Sequence, residues 1–356
     1  MSLLKALNQP KRQGNQSKRF GYLSTLLACL LLTACSDKPT DINEQYQQRL
    51  ATALDKPFPE TAKLANLKLA PIANNNETTQ SQQLSILQLA QLSHCKLNTL
   101  IAEHNSQLGK VATAAGQLTY QIQFIQLAPS CLEKLNPESK SYQAIQRELA
   151  SKKQQLLKQF NHLLYKNPEL KRSWQLTSYA LNTNLAGLVE TELALQDLLT
   201  LKQQIIQQQY TQIDSQVLYP LLSVLRKFNF NQALVSAVRQ QTYYNHSISR
   251  YLASIDLSAL CNPLKNKRQA QIVSNVFKKY YLAQLQPYQA QLSGALERLM
   301  PLYQQLWLDS TTNQPELDAL LQQHHSSNLL TAFKDSAKTH VTWWQKFYKT
   351  CEISPI

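Results

Sequence analysis

Six cysteines and seven histidines are the side chains through which this 356-residue chain could do covalent, redox or metal chemistry. Their spacing narrows the choice. Cys95, Cys131, Cys261 and Cys351 are scattered too widely for the close ligand pairs of a zinc site. None of His94, His104, His162, His246, His324, His325 and His340 belongs to a His-Glu-x-x-His or Glu-x-x-His helix motif. No metal and no cofactor is therefore expected. Nucleophile signatures are missing too: there is no Gly-x-Ser-x-Gly and no glycine loop of the phosphate-binding kind. Glu103 and His104 would make an acid and base pair if both faced one cleft, but adjacent helical residues point about 100° apart. Glu190 and Glu192 diverge on a helix in the same way. No catalytic residue is assigned.

The stretch whose chemistry is most specific is Leu32-Thr33-Ala34-Cys35. Ahead of it stand Lys5, Lys11, Arg12, Lys18 and Arg19 without an acidic residue, then an apolar run from Phe20 to Leu32. That order is the basic, apolar, small-residue order of a signal peptide, and the run is short of the roughly twenty residues a membrane span needs. The cysteine after two small residues resembles a lipobox, in which the thiol takes a diacylglycerol and the chain is cut just before it. Leu26-Leu27-Ala28-Cys29 is a poorer match, since a cut there exposes Leu30-Leu31-Leu32. The expectation is a leader of residues 1–34 that is removed and a lipid on Cys35. Each buried methylene adds about 0.8 kcal/mol, so several acyl chains anchor firmly. Ser36 in place of aspartate implies, by the same resemblance, the outer membrane, with the body in the periplasm.

An oxidising compartment makes two disulfides the natural use of the other four cysteines. Three connectivities are open; the sequential one, Cys95 with Cys131 and Cys261 with Cys351, closes the shortest loops. Loss of Lys5, Lys11, Arg12, Lys18 and Arg19 takes the formal charge from +14 to +9. Export makes nucleic acid an unsuitable partner, leaving the membrane, an envelope protein or an anionic envelope component.

The elements that must hold these residues read as all-α, a multi-helix bundle with an extended N-terminal segment. Ile42, Tyr46, Leu50, Ala53 and Leu54 fall at helical spacing, and Lys56-Pro57-Phe58-Pro59 ends that helix. Prolines, Asn74-Asn75-Asn76 and the alternation Leu67-Lys68-Leu69 predict an extended stretch to about residue 80. Residues 35–80 thus hold anchor, tether, first helix and extended segment. Residues 81–356 form the helical body, as one domain or two closely packed halves. From Ser81, Leu84, Ile86, Leu89, Ala90 and onward give a helix apolar on two sides, as does Leu118, Ile122, Ile125 with Tyr120, Phe124, Leu127. Further helices are expected at 138–165, 174–214, 217–241, 242–260, 266–308, 315–325 and 327–351. His340 shares a face with Phe333, Val341 and Trp344 and reads as a core histidine.

The candidate binding loop is Glu103, His104, Asn105, Gln107, Gly109 and Lys110, with Gly109 expected to end a turn at positive φ. The string Leu100-Ile101-Ala102-Glu103-His104-Asn105-Ser106-Gln107-Leu108-Gly109-Lys110, followed by Leu118, Tyr120, Phe124 and the Ala128-Pro129-Ser130-Cys131 corner, resembles the proteobacterial lipoproteins grouped as domain of unknown function 3080. The resemblance implies an early cysteine pair followed by a long helical remainder and no assigned activity. His104 stands where that pattern carries arginine. A candidate anion patch is Lys267, Arg268 and Lys278, on the outer side of a helix that turns Val273, Phe277 and Tyr281 inward. The expected function is non-enzymatic binding or scaffolding in the envelope. The alternatives are a carrier or sensor of an apolar ligand held between helices, and, third, a hydrolase of cell-wall or lipid bonds.

Overall fold

Among the described residues the first helix starts at Pro39, three residues ahead of the apolar spacing that opens at Ile42. The structure is a computed structural model that describes residues 38–60, 62–71, 92–181, 183–262, 267–308 and 313–354, and no strand occurs among the described residues. The leader 1–34, Cys35, the Asn74-Asn75-Asn76 run and the face from Leu84 to Ala90 lie outside the described residues. Helix α1 (Pro39–Leu54) buries Tyr46 and Leu50. The chain then runs without regular structure through Pro57 and Pro59, which cannot donate the backbone bonds a helix needs.

Residues 62–71 form an extended strap. Leu67 and Leu69 pack on the main core while Lys68 between them is exposed, the period of two that an extended chain imposes. Side chains from distant helices hold its backbone. Asn66 Oδ1 accepts from Leu176 N at 2.7 Å, Arg239 Nη2 donates to Ala65 O at 2.8 Å, and Lys68 N donates to Glu316 Oε2 at 2.8 Å. The amide of Gln314 accepts from Ala70 N at 2.8 Å and donates to Ala70 O at 3.1 Å. One side chain thus supplies both bonds that a neighbouring strand would give.

The body continues with α2 (Leu97–Asn105), α3 (Gln107–Lys110), α4 (Ala114–Leu132), α5 (Lys140–Lys166), α6 (Pro168–Arg172), α7 (Leu188–Ile206) and α8 (Leu218–Phe228). After these come α9 (Phe230–Ala253), α10 (Leu257–Leu260), α11 (Arg268–Val276), α12 (Gln286–Tyr303), α13 (Pro315–Leu321) and α14 (Leu329–Cys351). Starts follow capping chemistry. Ser139 Oγ accepts from Tyr142 N ahead of α5; Asn167 Oδ1 accepts from Glu169 N and Leu170 N, with Pro168 at the first position of α6. Asn328 Oδ1 accepts from Leu330 N and Thr331 N ahead of α14.

Three helix expectations need correction: the helix expected from Ser81 is, among the described residues, turns at residues 92–96 and helical only from Leu97, and two later stretches are broken. The described residues of 174–187 are not helical, because short polar side chains take the backbone bonds: Thr177 Oγ1 accepts from Tyr179 N, Asn184 Oδ1 from Ala186 N, and Ser236 Oγ from Thr177 N. The stretch 217–241 is split at Asn229, whose left-handed backbone (φ 48°) ends α8. Beyond it α9 runs unbroken past residue 242. The expected helix at 266–308 is continuous from Arg268 on, but it widens to π geometry at Phe277–Leu285 and Gln304–Leu308. In the first widening, consecutive Tyr280 and Tyr281 are both buried, with ring centroids 6.4 and 6.2 Å from that of Tyr46. In the second, the buried Lys202 Nζ donates to the carbonyls of Gln305 and Leu306.

Apolar side chains segregate into three clusters. The largest joins α4 to α9 with α12 and α13, around Trp174, Trp307, Phe160 and Phe230. A second packs α1 between α9, α11 and α14, around Tyr46, Phe277, Trp344 and Phe347. The third, the smallest, holds Leu97, Ile101, Phe124, Ala128 and Ile145. Each smaller cluster contains a disulfide: Cys95–Cys131 in the third, with Cα atoms 5.7 Å apart, and Cys261–Cys351 in the second, at 4.5 Å. Both pairings are the sequential ones. Cross-links sit where the apolar core is thin, which is where small folds need them.

Candidate functional site

The candidate loop is the corner between α2 and α4, and both helices are fixed before it is built. Leu97 and Ile101 of α2 pack on Phe124 and Ala128 of α4, and the Cys95–Cys131 bond ties the far ends together. The corner is then shaped by two caps of one spacing, Ser106-x-x-Gly109 and Thr113-x-x-Gly116. Ser106 Oγ donates to Glu103 O at 2.6 Å and accepts from Gly109 N at 3.2 Å; Thr113 Oγ1 accepts from Gly116 N at 3.2 Å. Gly109 does not have positive φ; among the described residues the glycine that does is Gly187 (φ 93°). Gly109 is required for another reason. A Cβ on it would lie 2.2 Å from His104 O and 2.5 Å from Glu103 O, so α3 folds back onto the last carbonyls of α2 closer than any side chain permits.

Glu103 and His104 part company, as their adjacency demands. His104 stacks flat on Tyr120, with ring centroids 3.7 Å apart and planes 7° from parallel. Lys152 Nζ sits 4.9 Å from the Tyr120 centroid and 5.1 Å from that of Phe124, and is paired with Glu148 at 2.9 Å. Burial first, and the Lys152 charge second, lower the His104 pKa, against a smaller opposite pull from Glu148. Burial raises the Tyr120 hydroxyl, and Glu148 adds to it. At neutral pH this is a stack of two uncharged rings beside an ion pair.

Glu103 opens onto the other side, into a groove of about 420 Å³ between α2 and α4. Leu100 and Leu127 line it apolarly; Lys96, Glu103, Gln123 and Ser215 are among its polar lining. Gln123 Nε2 donates to Ser215 Oγ at 3.3 Å, and Gln126 Nε2 donates to the carbonyls of Tyr210 and Ile213 at 2.8 and 2.7 Å, which engages both amide nitrogens within the protein. Beyond the corner the chain presents Leu108 and Val111, 83% and 76% exposed. Tyr219 comes close to Gly116, its hydroxyl 3.5 Å from where a Cβ would stand. Asn105 is half-buried and Gln107 exposed. The groove residues Lys96, Gln123 and Ser215 were not legible as a site in the sequence; the signal for the first was its seven-residue spacing from Glu103, two helical turns along one face.

The remaining candidates lie elsewhere. Lys267 pairs with Glu352 at 3.5 Å, and Lys278 is half-buried at the start of the first π stretch. A second open groove, about 310 Å³, runs beside Glu297, Gln304 and His324. His340 is fully enclosed. Trp344 Nε1 donates to its Nε2 at 3.2 Å, Tyr46 Oη lies 3.1 Å from the same nitrogen, and Ser249 Oγ lies 3.4 Å from Nδ1. An indole only donates, so Nε2 carries the lone pair and Nδ1 the hydrogen. Burial pushes this histidine down to about 3, and it serves the core. His94, Cys95 and Cys131 place their nitrogen and sulfur atoms within 4.8 Å of one another. Because the two sulfurs are bonded to each other, neither is a thiolate available to a metal.

A family model described as "Protein of unknown function (DUF3080)" matches residues 43–355. Comparison with curated proteins and with solved structures finds no match.

Proposed function

The chain belongs to the DUF3080 family, proteins of unknown function, and from that premise we propose that it is an envelope lipoprotein that works by binding rather than by catalysis. In this reading the leader is removed, Cys35 carries the lipid in the outer membrane, and the helical body binds or scaffolds another envelope protein from the periplasmic side. The observation that carries the binding reading is the corner at 106–113. Leu108 and Val111 are large, apolar and among the most exposed hydrophobic side chains of the described residues, and they stand three residues apart on a corner locked by a disulfide, two caps and an obligate glycine. A preorganised apolar knob costs little to order on binding. The separation of Glu103 from His104 supports the same view, since the one adjacent acid and base in this region do not share a cleft. Tryptophans pack against neighbouring rings, Trp307 of the second half on Trp174 at 5.1 Å and Trp344 on Phe277 at 4.1 Å. That favours a binding surface over an internal carrier cavity.

The test has two arms. Cys35→Ser should abolish incorporation of a palmitate analogue and release the protein from the membrane fraction; labelling that persists refutes the anchor. Leu108→Ser with Val111→Ser should leave the thermal midpoint within about 1 °C, because both side chains are already in water, and should lose the envelope protein recovered with the wild type from solubilised membranes. Undiminished recovery refutes the corner as the contact.

A further inference from the structure

We propose that the groove between α2 and α4 is a subsite for a short peptide with a free α-amine and a free α-carboxylate. The inference rests on the binding reading above and names a ligand class for one part of that surface. Three features point to it. The groove's two charged groups are of opposite sign and stand seven residues apart on α2, so Lys96 and Glu103 are separated by about 10.5 Å along the axis. Three residues of extended chain span about 10 Å, which brings the carboxylate of a tripeptide to Lys96 as its amine reaches Glu103. Polarity along the groove agrees with that direction: α2 begins at Lys96 without a side-chain cap, the end of a helix that favours an anion, and finishes near Glu103, the end that favours a cation. Between the charges, Leu100 and Leu127 offer apolar contact to a middle side chain, and the lining amides of Gln123 and Gln126, with their nitrogens engaged within the protein, keep acceptor capacity for peptide N–H groups. The volume, about 420 Å³, lies within the usual range of small-ligand sites.

Full-length protein in a non-ionic detergent, titrated calorimetrically with tri-L-alanine, tests the proposal. Saturable binding is expected, weakening as salt is raised. N-acetylation of the peptide, or Glu103→Gln in the protein, should each weaken it about fivefold, and the two together no further; C-amidation and Lys96→Gln should behave as the mirror pair. Both side chains are exposed, so these variants keep the fold. A companion peptide ending in D-alanyl-D-alanine separates the sources: tighter binding of it identifies cell-wall peptides, tighter binding of the all-L peptide identifies proteolytic ones, and saturable binding of either upholds the site. Absence of saturation with both, or equal affinity for the doubly blocked peptide, overturns it. If partner recovery through Leu108 and Val111 survives while peptide binding fails, the subsite alone is refuted.

Discussion

Gly109→Ala isolates the close approach that shapes the corner. The added methyl would lie 2.2 Å from His104 O and 2.5 Å from Glu103 O, against an ordinary contact of about 3.5 Å. Because the opposing atoms are backbone, α3 must retreat by about 1 Å. It can do so by straining its surroundings, at about 1–3 kcal/mol, or by giving up the bond from Gly109 N to Ser106 Oγ, at about 1 kcal/mol. These are alternative routes out of one clash, so the expected loss is about 2 kcal/mol. With an unfolding entropy of about 2.1 cal/mol/K per residue over roughly 320 residues, that is about 3 °C in midpoint. The same chemical change at Gly294 is the control. Nothing lies within 4 Å of a Cβ there, and the site is exposed in the middle of α12. Alanine should therefore stabilise by about 0.5–1 kcal/mol, or about 1 °C. Scanning calorimetry of both variants, with amide exchange at Gly109 and Val111, reads the outcome. If Gly109→Ala raised the midpoint as Gly294→Ala does, with unchanged exchange, the folded-back corner would be wrong.

Other expectations follow from the core and the strap. His340 is held neutral, with a folded value of about 3 below an unfolded value near 6.5, so its contribution is complete above pH 6.5 and is lost as pH falls toward 3. Stability at pH 5 should be lower than at pH 8 by about 2 kcal/mol from this residue; denaturant titrations should show that slope flattened in His340→Gln, and an equal slope would count against the network. His104 and His162, also lowered by burial, act in the same direction. Gln314→Ala should remove both bonds to Ala70 and cost about 1–2 kcal/mol, with protease cuts appearing within residues 62–71; a protease-resistant strap would show that the other clamps suffice. Replacing Cys261 and Cys351 together by serine should cost about 4.6 kcal/mol for a 90-residue separation, against about 3.8 for the 36-residue separation of Cys95 and Cys131. Equal losses would show that chain entropy does not set the order.

The sequence was most legible where one periodicity acted alone. The spacing of Ile42, Tyr46 and Leu50 foretold α1, and the Leu67-Lys68-Leu69 alternation foretold an extended segment, which the strap at residues 62–71 is. It was least legible where local polar groups overrode the pattern. Leu181, Leu185 and Leu188 keep a helical interval, yet side-chain bonds from Thr177 and Ser236 on one side and from Asn184 to Ala186 N hold the described backbone here in turns. Asn229 stands within an apolar helix text and still breaks it, because asparagine tolerates the left-handed conformation better than most residues. Site residues contributed by distant elements left no local trace. Nothing around Ser215 announces that Gln123, 92 residues earlier, bonds to it, and nothing around Gln314 announces a bond to Ala70, 244 residues away. The loop from Glu103 to Lys110 was visible as unusual polar text, whereas the reason for its glycine, a backbone approach, is a property of three dimensions.

The position of α1 has a consequence for how the molecule is made. Tyr46 meets His340 across 294 residues of chain, and its other ring neighbours, Tyr280 and Tyr281, are also late. A chain synthesised from its N-terminus therefore delivers this helix first and its binding site last. Until α14 arrives, the apolar face of Tyr46, Leu50 and Leu54 has no lasting place to go, and a sixteen-residue helix is marginal by itself in water. The first and last segments must complete the second core together, which makes closing that core a late event with a large loop already paid out. A stop within the last helix would leave the beginning of the protein, nearly three hundred residues away, without a home.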